Sequence, residues 1–131
     1  MKKLKGLIIM LFISLSLFGL TGCGGDNNNT YEQITPEQAK YIMDTENDYI
    51  IIDARTTEEF AQGHIENSIL IPEYEIADRA EKELPDKEQL ILVYCRSGRR
   101  SKIASEELVK LGYTNVKEFG GIIDWPYEVV K

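Results

Sequence analysis

One thiol in the body of the chain, Cys95, heads the stretch Cys95-Arg96-Ser97-Gly98-Arg99-Arg100-Ser101. A thiol is a weak nucleophile until it loses its proton, and a free thiol keeps that proton up to about pH 8.5. Nearby cations and helix N-termini both favour the thiolate. Arg96, Arg99 and Arg100 supply the cations. The loop leads into a helix expected to begin near Arg100 or Ser101, whose first amides lack intrahelical acceptors. Gly98 lets the backbone curl so that successive N–H groups face inward as a nest for an anion. Ser97 and Ser101 add hydroxyl donors. The assembly suits a thiolate attacking an anionic substrate. The plainer alternative is a buried structural cysteine acting as a small hydrophobe. Such a cysteine is flanked by packing residues, not by arginine and glycine.

The elements that must position this loop follow from periodicity. Tyr31 to Ile34 reads as a weak first strand. Thr35 is a helix N-cap, with Pro36 at N1 and Gln38 at N3. Ala39, Ile42 and Met43 then keep helical spacing. Tyr49 to Asp53 is an apolar run ended by an acid, as suits a strand buried on both faces. A short helix from Thr57 ends near Gly63. Ser68 to Ile71 is a strand closed by Pro72, and Ile76 to Leu84 is a helix stopped by Pro85. Leu90 to Tyr94 is the clearest strand, and it makes Cys95 the first residue beyond it. Ile103, Ala104, Leu108 and Leu111 share one helical face, with Gly112 as its C′ residue. Val116 to Phe119 is a last strand, followed by Gly120-Gly121 and a final turn through Trp125. Strands alternating with helices predict an α/β fold: an open, mainly parallel five-stranded sheet with helices on both faces. Ligands of such sheets bind outside the carboxyl ends of strands, where Cys95 falls.

The totals set limits. The chain has 131 residues, 43% hydrophobic and 28% charged, which suits one globular domain. Its formal net charge is −7, the wrong sign for displacing counterions from nucleic acid. No nucleic-acid partner is expected. One histidine and one free cysteine make no metal-ligand set, and neither a metal nor a cofactor is called for.

The N-terminus is a separate object. Lys2, Lys3 and Lys5 precede 14 uncharged residues from Leu7 to Leu20. That run is shorter than the ~20 apolar residues of a spanning helix and fits a signal-peptide core. Leu20-Thr21-Gly22-Cys23 resembles the bacterial lipobox. The resemblance implies cleavage after residue 22 and a diacylglyceryl group on Cys23, hence an exported, membrane-anchored protein. A plain secretory signal or an uncleaved anchor helix is the alternative. Cleavage removes three lysines and carries the formal charge from −7 to −10, so the lipid, not charge attraction, would hold the protein at the membrane. Gly24 to Thr30 has no apolar residue and reads as a flexible tether. The expected division is therefore a signal peptide at 1–22, a lipidated N-terminus and tether at 23–30, and a domain at 31–131. With Cys23 committed to lipid, Cys95 has no disulfide partner, and a dithiol redox mechanism is excluded.

From residue 31 onward the chain resembles the single-domain rhodanese family. The loop from Cys95 to Ser101 is similar to the family's active-site loop. Asp53-Ala54-Arg55, with Glu58-Glu59-Phe60 and Gly63-His64-Ile65, resembles its upstream signature. Gly120-Gly121-Ile122-Ile123-Asp124-Trp125 resembles its C-terminal one. Glu66-Asn67 stands where the family usually has proline-glycine. The resemblance implies a sulfurtransferase in which Cys95 takes the outer sulfur of thiosulfate or a related donor as a persulfide. Cyanide or a thiol would then remove it, a ping-pong route. The expected partners are a small anionic sulfur donor, a thiol or protein sulfur acceptor, and the membrane through Cys23. Arg96, Arg99 and Arg100 would hold the donor's oxyanion, while the loop amides stabilise thiolate and persulfide. Cysteine-dependent phosphatases instead need arginine six places after the cysteine. That place is Ser101, with arginines at one, four and five, which argues against phosphate chemistry. A sulfur or redox relay to a protein partner and a noncatalytic binding module are the other readings. Asp53 and Arg55 could contact the loop, though an internal ion pair is the favoured role. His64 is expected to be a hydrogen-bonded turn residue, Trp125 a core residue, and Gly120-Gly121 a place of close backbone approach.

Overall fold

The computed structural model describes residues 30–131. The expected signal peptide, the expected lipid site at Cys23 and residues 24–29 of the expected tether lie outside the described residues. Five strands form one parallel sheet in the order β1-β5-β4-β2-β3. They are β1 Glu32–Gln33, β2 Ile50–Asp53, β3 Ser68–Leu70, β4 Ile91–Cys95 and β5 Val116–Gly121. The helices between them are α1 Pro36–Thr45, α2 Thr57–Gln62, α3 Ile76–Glu83 and α4 Arg99–Lys110. A 3-10 turn over Glu73–Glu75, which the periodicity did not indicate, leads into α3.

Strand alternation divides the core between the two faces of the sheet. Ile91, Val93 and Cys95 of β4 face α3 and α4, where they meet Ile76, Ala80, Ala104 and Leu108. Leu92 and Tyr94 face the other way, toward Ala39 of α1, Phe119 and Trp125. Trp125 is thus a core residue, as expected. Both α1 and α2 open with capping boxes. Thr35 pairs with Gln38 and Thr56 with Glu59, so the orphan amides of those first turns are partly satisfied by their own side chains.

Three boundaries at the site differ from expectation. The last strand runs on to Gly121, and Cys95 pairs with Gly121 across a register shift. Cys95 is therefore the final residue of β4, not the first beyond it, and α4 begins at Arg99. At residues 66–67, the turn closes with the Ser68 amide donating to the Ile65 carbonyl at 3.0 Å. Asn67 takes φ +65° there, a left-handed conformation that asparagine tolerates better than most residues.

One polar network ties β2 to its neighbours. Asp53 is 0% exposed and Arg55 5%. The Arg55 guanidinium donates to both Asp53 oxygens, at 2.9 Å from Nε and 2.7 Å from Nη2, and Nη2 also reaches the Gly63 carbonyl at 2.7 Å. The Tyr94 hydroxyl donates to Asp53 at 2.6 Å and accepts from the Ile65 amide at 3.0 Å. Burial first, and the adjacent Asp53 charge second, push the Tyr94 phenol well above its ordinary value. Removing one partner of a buried ion pair leaves the other uncompensated. Arg55→Ala is expected to lower stability by about 3–5 kcal/mol, read as a fall in the urea midpoint. An unchanged midpoint would show that Asp53 has another counter-charge.

Candidate functional site

The site is built where β4 turns into α4 at the carboxyl edge of the sheet. Gly98 takes φ +106° at the N-cap position, and no side chain caps the helix. This left-handed turn brings the Gly98 amide back to the Cys95 sulfur at 3.0 Å. The first amides of α4 consequently remain open toward an anion held by the loop. Cys95 itself is 1% exposed. Its thiol lies 3.3 Å from the Ser101 oxygen, to which it can donate.

β5 supports the loop from beneath. A methyl group at position 121 would fall 2.0 Å from the Arg96 carbonyl oxygen and 2.5 Å from the Ser97 nitrogen. Only glycine permits that approach, which agrees with the expectation for Gly120-Gly121. The Ile123 amide donates to the Arg96 carbonyl at 3.2 Å and fixes the first peptide of the loop.

The three arginines are not equivalent. Arg100 forms a two-pronged ion pair with Glu59, at 2.6 and 2.9 Å. Its hydrogen bonds hold the Glu59 carboxyl down to about 2, against an ordinary 4.5, despite opposing burial. Glu59 in turn raises Arg100. Arg100 therefore braces α2 against α4, and its charge is largely answered. Arg96 and Arg99 are exposed, and among the described residues neither has a carboxylate partner. They are the cations left for a substrate anion. Ser97 is exposed on the same loop, whereas Ser101 is fully buried beneath the sulfur. The Ser101 hydroxyl does not line the rim. It donates to Glu118 Oε1 at 2.7 Å, with the Gly98 carbonyl a nearby second acceptor at 3.0 Å.

Glu118 is the site residue that motif reasoning missed. It is 3% exposed and also accepts from the Gly120 amide at 2.8 Å. One signal was available. Val116 and Glu118 share a strand face, so alternation puts a carboxylate on the buried α4 side. Asp53 and Arg55 bond to one another, to Gly63 and to Tyr94 rather than to the loop, although the Asp53 charge still reaches Arg100. His64 lies outside the thiol's hydrogen-bonded group. Its Nδ1 is 2.9 Å from the Phe60 carbonyl, and its ring stacks on Phe60 at 3.7 Å.

A cleft of about 330 Å³ runs beside the loop, lined by Gln33, Thr35, Ser97, Gly98, Lys102 and Asp124 among others. A larger one, about 750 Å³, lies against Lys40, Tyr49, Trp125 and Tyr127 and includes no loop residue. The smaller cleft, not the larger, borders the loop that follows Cys95.

Residues 35–126 match the family profile of the rhodanese-like domain. The chain is 40% identical over 80 residues to thiosulfate sulfurtransferase PspE of Escherichia coli K12, covering 61% of this chain and 77% of that protein. It is 41% identical over 85 residues to a sulfurtransferase of Allochromatium vinosum, covering 64% and 77%. A solved E. coli structure described as rhodanese with anions superposes with a TM-score of 0.60 at 38% identity, over 63% of this chain and 98% of that one.

The Glu59–Arg100 brace has a pH signature. A carboxyl held below its unfolded value stabilises the fold above that value, and the gain is lost as pH falls through the folded value. Glu59→Gln removes this component. The urea midpoints of the two proteins should differ most at neutral pH and converge between pH 4.5 and about 2. A difference that persists undiminished at the acid end would mean that Glu59 acts through packing, not charge.

Proposed function

Because the chain belongs to the rhodanese-like domain family and its relatives include sulfurtransferases, we propose that it transfers sulfane sulfur through a persulfide on Cys95. The Cys95 thiolate attacks the outer sulfur of thiosulfate or a similar donor. The S–S bond of the donor breaks, sulfite leaves with the bonding pair, and the persulfide keeps one negative charge. A second nucleophile, cyanide or a thiol, then takes the outer sulfur and returns the thiolate. No net oxidation of the protein occurs over the cycle, and the two half-reactions share one site.

The reading rests on the Cys95 sulfur, held by the Gly98 amide at the uncapped start of α4. That amide and the open first turn favour negative charge on either sulfur. Arg96 and Arg99, exposed and unpaired, suit the sulfonate end of the donor. The lipobox-like Leu20-Thr21-Gly22-Cys23 supports an exported domain on a short tether, so sulfur exchange would take place near a bilayer surface. Seven tether residues reach about 25 Å at full stretch.

Intact mass measurement tests the chemistry directly. The reduced protein incubated with thiosulfate should gain the mass of one sulfur atom and lose it on adding cyanide. Cys95→Ser should gain none. No gain on a reduced, alkylatable wild-type thiol would sink the thiosulfate route. Arg99→Ala should raise the KM for thiosulfate about tenfold, the scale of one charge-assisted hydrogen bond, with a smaller effect on kcat. An unchanged KM would remove Arg99 from donor binding.

A further inference from the structure

Glu118 is a buried carboxylate that forms no ion pair among the described residues. It stands in the strand row that otherwise carries core side chains, facing α4. Its hydrogen bonds come from two donors, the Gly120 amide at 2.8 Å and the Ser101 hydroxyl at 2.7 Å. The Ser101 oxygen lies 3.3 Å from the Cys95 sulfur. The three groups form a continuous chain from thiol to hydroxyl to carboxylate, buried throughout. None of the charged side chains around Glu118 pairs with it. Arg99, Arg100 and Lys102 lie on α4, Glu32 on β1, and Asp124 in the turn after β5. Arg100 is committed to Glu59, and Lys102 and Asp124 are exposed and line the cleft beside the loop, which Glu118 also borders.

The count of protons makes this chain informative. A serine hydroxyl has one proton to donate. While Cys95 is a thiol, every demand is met: the thiol donates to Ser101, and Ser101 donates to Glu118. Once the sulfur ionises, two buried anions stand on either side of a single hydroxyl proton. Like charges so placed disfavour double ionisation, and one of them would lose its hydrogen bond from Ser101.

We propose that Cys95 and Glu118 share one proton through Ser101. When the thiolate forms, the thiol proton passes to the Ser101 oxygen as the Ser101 proton passes to Glu118. The result is a thiolate, a neutral serine hydroxyl that now donates to the sulfur, and a carboxylic acid. Net charge within the group is unchanged, so the thiolate can form without a second anion in the buried site. Reversal returns the proton to the sulfur. Glu118 is thus a positioning residue that acts on the reactive sulfur through Ser101. The inference deepens the persulfide reading and rests on Cys95 being the nucleophile.

Its test uses a readout that needs no sulfur transfer. The rate of Cys95 alkylation by neutral iodoacetamide is measured against pH on the full chain. Two coupled groups titrate as a pair. The wild-type profile should therefore rise in two steps, the lower from the singly charged pair and the upper from the doubly charged one. Glu118→Gln, which cannot accept the proton, should lose the lower step and show one. Ser101→Ala keeps the carboxylate but removes the bridge, so the lower step should shrink; this variant serves if Glu118→Gln fails to fold. A single step in the wild type, a lower step that survives Glu118→Gln, or one undiminished in Ser101→Ala would overturn the proposal. Alkylation reads the thiol alone. A protein that shows both steps but takes no sulfur from thiosulfate would fail the functional reading and keep this one.

Discussion

The contact between Gly121 and the Arg96–Ser97 peptide sets the geometry of everything at the carboxyl edge of the sheet. With no Cβ at 121, two backbones lie closer than any side chain would allow. That closeness lets Cys95 pair with Gly121, the last residue of β5, across a register shift. It also lets the Ile123 amide seize the Arg96 carbonyl. With the first peptide of the loop fixed, the chain has only three residues in which to reverse into α4. The left-handed Gly98 turn achieves it, and a methyl group built at position 98 would fall 3.7 Å from the Gly120 Cα. The short Gly98 N–H to sulfur contact follows from these two constraints, with no need for a dedicated side chain.

Charge is arranged around that loop by division of labour. Three arginines on seven residues would repel one another and any local excess would be unanswered. Glu59 answers Arg100 across the helix pair, which frees Arg96 and Arg99 to face solvent. Asp53 and Arg55 settle a second buried pair one strand away, and Tyr94 closes it from β4, the strand that ends in the thiol. No buried side-chain polar atom among the described residues lacks a hydrogen-bond partner. The loop is therefore held by its surround as well as by its own hydrogen bonds at Gly98 and Ser101, as preorganised electrostatics requires.

How much of this was legible depends on the range of the interaction. Local signals read well. The Thr35–Gln38 box, the β4 run and the helical face of Ala104, Leu108 and Leu111 all appear in the structure, although Ile103, expected on that face, lies half-buried outside the core cluster. So does the Asp53–Arg55 pair, two residues apart in sequence. Boundaries set by tertiary contact did not read well. Cys95 belongs to β4 because a strand 26 residues away reaches Gly121, and no periodicity within Leu90 to Tyr94 reports that. Arg100 looked equal to Arg96 and Arg99 until Glu59, 41 residues distant, claimed it. Glu118 was overlooked because acids within strands usually mark a solvated face. Only the parity it shares with Val116 marks it as buried.

Position 101 shows why counting along the loop is informative. A cysteine phosphatase would carry arginine there. In this chain that position lies on the inward face of α4, fully buried and directed at Glu118. A guanidinium there would have to displace the Ser101–Glu118 contact or swing out past the sulfur. Serine fits because it is small and can both accept from the thiol and donate to the carboxylate. The cations sit instead on the exposed rim, at 96 and 99, where they can meet a donor's oxyanion without enclosing the sulfur. Under the proposed mechanism the loop separates two tasks in depth, anion recognition at the surface and proton sharing below, with the Cys95 sulfur between them.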